Sequence, residues 1–111
     1  DYILQKTISL LDGLVVYPER MIENLNATGG LIFSGQLLLV LTQKGLAREQ
    51  AYEWVQRNAM KAWDENGDFQ KLVKGDADIN KNLTAQEIDR VFSLDTYLRN
   101  IGTIFARVFK S

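Results

Sequence analysis

The chain has 111 residues, 46% of them hydrophobic and 24% charged, with a formal net charge of -1. This is enough for one small domain with a single core, and the balance is that of an ordered globular chain and not of a disordered one. The near-neutral total argues against a basic nucleic-acid surface, zero cysteines exclude disulfide and thiolate chemistry, and zero histidines remove the commonest general acid or base near neutral pH.

The longest apolar run, Leu37 to Leu41, is far short of the ~20 residues a membrane-crossing helix needs. No charged-then-apolar leader opens the chain. The expected partners therefore include neither nucleic acid nor membrane, and the expected compartment is cytoplasmic. The chain opens on Asp1 without a methionine, which is the pattern of a cut or processed product. The triplets Asn26-Ala27-Thr28 and Asn82-Leu83-Thr84 match the glycosylation sequon, which has consequences only in a secreted protein.

Taken in order, Asp1 to Leu14 carries apolar residues at Ile3, Leu4, Ile8, Leu10, Leu11 and Leu14, close to the spacing of one helix face. A helix this short cannot bury its own stripe, so it needs partners from elsewhere. Pro18 is suited to a first helical turn, where its missing N–H has no intrahelical partner, and a helix is expected from Pro18 to Leu25. Gly29 and Gly30 then break the chain. From Leu31 to Lys44 the residues are apolar on nearly every face, which predicts a buried central helix.

Gly45 is the expected stop of that helix. The next begins near Ala47 with Glu49 in its first turn, where the helix dipole favours negative charge. Ala51, Trp54, Val55, Asn58, Ala59 and Ala62 share one face of it, with Glu53, Gln56, Arg57 and Lys61 opposite. Asn66-Gly67 signals a turn, and Asp68 can cap a short helix over Phe69 to Val73. Gly75 to Leu83 reads as polar and irregular. Thr84 and Glu87 have the spacing of a capping box, ahead of the apolar Ile88, Val91 and Phe92. Asp95 is placed to cap a last helix bearing Leu98, Ile101, Ile104, Phe105 and Val108. No alternating strand pattern occurs. The expected fold is all-α, about six helices around the buried Leu31 to Lys44 helix.

The order Leu-Val-Val-Tyr-Pro-Glu-Arg-Met over 14–21, then Asn24-Leu25, Gly30-Leu31-Ile32-Phe33-Ser34, Gly45, Arg48-Glu49 and Ala51-Tyr52 resembles the carboxy-terminal region of adenylosuccinate lyase, of the fumarase/aspartase superfamily. The resemblance runs to the end of the chain. It implies that residues 1–14 are the end of a long central-bundle helix and 15–111 a C-terminal helical domain. In that family serine or threonine is frequent where Ala47 stands, a weaker cap here by about 1 kcal/mol.

The resemblance also implies an intact enzyme that cleaves a carbon–nitrogen bond by β-elimination, using a serine base and a histidine acid. It would convert adenylosuccinate to AMP and fumarate, and the succinylated imidazole carboxamide ribotide to its carboxamide and fumarate, in purine biosynthesis. The implied partners are the remainder of the same polypeptide and its homotetramer, with a purine nucleotide substrate only in the intact enzyme. No catalytic, substrate-binding or metal residue of the family matches a position here, no cofactor is implied, and the fragment itself is expected to be structural and inactive.

Independent of the resemblance, Asp76, Asp78, Asn80, Asn82, Thr84 and Glu87 stand at positions 1, 3, 5, 7, 9 and 12 of an EF-hand-like loop. Lys81 replaces the glycine that loop needs at its sixth position. The alternative function is thus a free-standing helical binding module with a degenerate calcium loop from Asp76 to Glu87, against a plain solvated loop. Asp64, Glu65 and Asp68 are a second acidic cluster, read as helix-end charge more readily than as paired catalytic carboxylates. Tyr17, Arg20 and Asn24 surround the proline turn, where Arg20 would hold an anion or pair with Glu19 or Glu23. Trp54 and Trp63 read as packing residues, as do Met21 and Met60. The Gly29-Gly30 pair lacks the spacing of a phosphate loop.

Overall fold

A computed structural model describes residues 1–109. The described residues form nine α-helices and one 3-10 turn, with no strand. The helices are α1 (Tyr2–Asp12), α2 (Pro18–Asn26), α3 (Ser34–Gln43), α4 (Arg48–Asp64), α5 (Phe69–Gly75), α6 (Ala77–Asn80), α7 (Ala85–Val91), α8 (Asp95–Leu98) and α9 (Ile101–Phe109), and the 3-10 turn is Leu31–Phe33. The all-α class holds. The count exceeds six in part because two one-turn helices, α6 and α8, occupy stretches whose periodicity is too short to read.

The core lies where α3, α4, α5 and α7 meet. Leu37 and Leu41 from α3, Phe69 and Val73 from α5, Ile79 from α6 and Ile88 from α7 are fully buried. Each such side chain contributes about 1.5–3 kcal/mol by leaving water. On α4 the predicted face is the buried one: Ala51, Val55, Asn58 and Ala62 are inside, and Trp54 and Ala59 are half-buried. Phe69 and Phe92 meet edge-on with ring centroids 5.6 Å apart, and Phe33 lies 5.5 Å from Phe92.

The sharp bend ahead of α3 depends on Gly29 and Gly30, with φ of 59° and 89°. At the other end Gly45, φ 97°, donates its N–H to the Thr42 carbonyl and closes α3, the left-handed termination expected there. Ala47 sits at the cap of α4 with no side-chain bond to the helix, and Arg48 and Glu49 follow. Ala47→Ser supplies the missing acceptor, and chemical denaturation is expected to show a gain of about 1 kcal/mol.

Three expectations are corrected. The helix starting at Leu31 is not buried on all sides: a 3-10 turn covers Leu31–Phe33, only Phe33, Leu37 and Leu41 are buried, and Ile32 and Leu39 face outward. The neighbouring helices α4 and α7 cover one side only. The segment from Gly75 to Leu83 is not irregular, because Asp76 caps the turn α6. The last apolar stretch is two helices and not one. Asp95 is the first residue of α8 and caps nothing; its N–H donates to the Ser93 hydroxyl, and Arg99-Asn100 separates α8 from α9.

The two ends of the chain are largely uncovered, although Tyr97 of α8 lies 6.0 Å from the buried Phe33. Helices α1, α2, α8 and α9 have no buried residue. The principal extents are 58 × 33 × 23 Å, and the radius of gyration is 18.9 Å, against ~13 Å for a compact chain of this length. Among the described residues no single helix is long and apolar enough to cross a membrane.

Candidate functional site

The residues of the proposed calcium loop are brought together, but around arginine and lysine. Asp76 begins the sequence step from α5 to α6, and its Oδ1 accepts from the backbone N–H groups of Asp78 (2.9 Å) and Ile79 (3.2 Å). Its Oδ2 accepts from Arg57 Nη2 and Asn58 Nδ2, both at 2.6 Å. The Asp76 side chain is only 7% exposed. Partial burial pushes its carboxyl up, but the bonds from Arg57, Asn58 and the two backbone N–H groups outweigh this and hold it below the usual carboxylate range.

Asn58 shows how one polar residue survives on a buried face. Its Nδ2 also donates to the Trp54 carbonyl at 2.9 Å, so the amide is satisfied and tied to α4 itself. Arg57, on the opposite flank of α4, spans to both Asp76 and Asp78. Together these bonds fasten α4 to the α5–α6 junction.

The rest of the loop is used the same way. Lys81 lies 3.4 Å from Asp78, Asn80 donates to the Lys74 carbonyl, and Asn82 donates to the Asp78 carbonyl. Thr84 and Glu87 close their capping box at the start of α7. The calcium reading is corrected on this ground. A calcium loop keeps its oxygens free and converging on one point, whereas here the Asp76, Asp78, Thr84 and Glu87 oxygens accept from cationic side chains and backbone N–H groups, and Asn80 and Asn82 turn their amide nitrogens to backbone carbonyls. Among the described residues no group of three acidic side chains stands close enough to hold a metal ion.

Glu87 has a second duty. Lys44, at the end of α3, pairs with its carboxylate, joining the C-terminus of α3 to the N-terminus of α7. The Lys44 ammonium first, and then the Thr84 backbone N–H, pull the Glu87 carboxyl from 4.5 to about 2. A carboxyl depressed by folding stabilises the folded state above its unfolded value of 4.5, and that contribution is lost as the pH falls toward about 2. Denaturant midpoints measured from pH 6 downward are therefore expected to drop through this window, and Glu87→Gln should flatten that part of the profile.

The other candidates separate. Asp68 caps α5, its Oδ1 accepting from the Lys71 N–H at 3.0 Å, while Asp64 and Glu65 are exposed at the end of α4. Arg20 reaches Glu23 at 3.8 Å, both largely exposed, a pair of little energetic weight. Tyr17 and Asn24 are exposed. Trp54 packs against the core but Trp63 is 67% exposed. Beside the Gly29-Gly30 bend is an open cleft of about 400 Å³, bordered by Asn26, Asn66, Asp68, Gln70 and Phe92. No buried side-chain polar atom of the described residues lacks a hydrogen-bond partner.

Sequence reasoning missed the bridge from Arg57 and Asn58 to Asp76. The available signal was Asn58 itself, a polar residue on the face it shares with Ala51, Trp54, Val55, Ala59 and Ala62, which demands a partner.

An all-α module with a well-bonded core and two uncovered apolar ends is the class these features define. Residues 30–108 match the family described as adenylosuccinate lyase C-terminus, and the chain belongs to that family. It is 44% identical to the adenylosuccinate lyase of a Synechocystis species over 96% of this chain, and 41% identical to those of Helicobacter pylori (strain J99) and Aquifex aeolicus, each over 98%. The chain spans 25–27% of the length of these curated relatives.

Proposed function

We propose that this chain is the C-terminal domain of an adenylosuccinate lyase, with residues 1–14 the end of a central-bundle helix and 15–111 the helical domain proper. In this reading the intact enzyme is a homotetramer of the cytoplasm. It releases fumarate from adenylosuccinate, leaving AMP, and from the succinylated imidazole carboxamide ribotide, leaving its carboxamide. The domain supports the bundle and supplies no catalytic group.

The observation that carries this reading is α1. Its apolar residues Ile3, Leu4, Ile8 and Leu11 are at least 59% exposed, and an eleven-residue helix with no tertiary packing is marginal in water. A helix of that kind is made to be covered by others, and the family match supports a larger polypeptide as their source. The absence of histidine from this chain fits a β-elimination whose acid lies elsewhere.

Fumarate release from adenylosuccinate, followed by absorbance, tests the proposal. Activity in the full-length protein and none in the 111-residue chain is the expected pair of results. A full-length protein that releases no fumarate, or a chain that does so alone, overturns it.

A further inference from the structure

Asn66-Gly67 is the only asparagine in the chain followed by glycine; every other asparagine precedes a residue with a side chain. In such a step the Gly67 backbone nitrogen can attack the Asn66 side-chain carbon Cγ, because glycine has no Cβ to crowd the approach. The new bond closes a succinimide ring while the Cγ–NH2 bond breaks and ammonia leaves. Water then opens the ring at either carbonyl, giving aspartate or isoaspartate.

The fold presents one reacting group and locks the other. Asn66 is exposed and is the left-handed residue that ends α4, with φ 51°. Its N–H reaches the Trp63 carbonyl at 3.4 Å, and the Gly67 N–H donates to the Ala62 carbonyl at 2.8 Å. These are the two bonds of a Schellman stop, with asparagine where glycine is usual. Attack requires the Gly67 nitrogen to lose its proton and turn onto Asn66. The 2.8 Å bond retains that proton. Rotation about the Asn66 backbone would also swing the Gly67 carbonyl, which is packed so closely on Gly29 that a Cβ there would stand 2.6 Å from it. Gly29 is fixed in turn by the Phe69 N–H at 2.9 Å, and Phe69 is fully buried.

We propose that Asn66 is a deamidation site gated by the turn between α4 and α5, closed while the Gly67 N–H is bonded to Ala62 and reactive only when that turn opens. Both products disfavour re-closure. Aspartate adds negative charge at the C-terminus of α4, where the helix dipole is already negative and Asp64, Glu65 and Asp68 stand. Isoaspartate inserts a methylene into the main chain ahead of Gly67 and breaks its register with Ala62. The modification is thus a lasting mark on chains that have opened, and it does not rest on the lyase reading.

Mass spectrometry of the tryptic peptide 62–71, in which Asn66 is the only asparagine, follows the conversion of amide to acid. The folded 111-residue chain is compared with the free synthetic peptide in the same mildly alkaline buffer. The expected rate in the folded chain is at least about tenfold below that of the peptide, rising steeply with urea below the unfolding midpoint. Gly29→Ala, which forces the Gly67 carbonyl away, should raise the folded-state rate at least about threefold. Gly67→Ala is the converse variant. A Cβ there meets only ordinary contacts, the nearest at 3.8 Å, and in the free peptide it should slow the reaction at least about tenfold by crowding the nitrogen. A folded chain that deamidates as fast as the peptide overturns the proposal. So does a rate indifferent to both urea and Gly29→Ala, or a peptide rate undiminished by Gly67→Ala.

Discussion

Gly29→Ala is expected to destabilise the chain by on the order of 3 kcal/mol, read as a lower midpoint in denaturant or heat. Two effects act together. Gly29 holds φ at 59°, a left-handed conformation that costs a residue with a Cβ about 1–2 kcal/mol. The added Cβ would also stand 2.6 Å from the Gly67 carbonyl oxygen. That oxygen belongs to backbone and cannot swing aside like a side chain, because Gly67 is itself tied to Ala62 by its N–H at 2.8 Å. Moving Gly29 instead stretches the 2.9 Å bond from the Phe69 N–H to the Gly29 carbonyl, and Phe69 is fully buried. With about 4–8 °C of melting temperature per kcal/mol for a domain slightly smaller than this one, the loss should be plain in a thermal scan. Gly35 is the control. A Cβ there meets nothing within 4 Å and no positive φ is involved, so Gly35→Ala should stabilise α3 by up to about 1 kcal/mol.

Asp76→Ala is expected to cost about 2–4 kcal/mol, more than an ordinary surface ion pair would suggest. The substitution removes the cap of α6 and leaves the buried Asn58 amide with one partner in place of two. The Arg57 part is small, since that side chain is 49% exposed and solvent can take over its solvation. Arg57→Ala should therefore cost markedly less than Asp76→Ala. Asp76→Asn should fall between wild type and Asp76→Ala in cost, because one oxygen remains for the backbone cap while the new NH2 faces the donors on Arg57 and Asn58. Equal losses for Arg57→Ala and Asp76→Ala would show that the ion pair, and not the cap with Asn58, carries the energy. Acid should act in the same sense: folding depresses the Asp76 carboxyl, so its contribution is present above the ordinary carboxylate range and is lost on protonation.

The acidic loop shows how a correct pattern can carry a different chemistry. Oxygen-bearing side chains do stand at the ligand positions from Asp76 to Glu87. Whether they face a common point depends on the backbone between them, and an aspartate followed by Ala77 and Asp78 can equally cap a helix. Capping is the outcome here, helped by Arg57 and Asn58 arriving from α4, 19 and 18 residues earlier. No local reading could place those two donors, because they reach Asp76 only after α4 and α5 have packed. Glu87 gives the opposite lesson. Its capping box with Thr84 was legible because both partners lie within one turn, while its pairing with Lys44 was not.

By itself the sequence determined what depends on neighbours a few residues away: the all-α class, Pro18 opening α2, Gly45 closing α3, the buried face of α4, the caps at Asp68 and Thr84, and the absence of any histidine or cysteine chemistry. Helical periodicity and capping are short-range, so they survive in a one-dimensional reading. Only the tertiary structure decided which apolar surface stays open. Leu37 and Leu39, two residues apart and equally apolar in the sequence, end one fully buried and the other 49% exposed. The same holds for Ile88 against Ile104, each on a helix, one sealed beneath α3 and α5 and the other facing outward. Hydrophobicity drives a side chain toward any cover within reach, and what lies within reach is set by how distant helices meet.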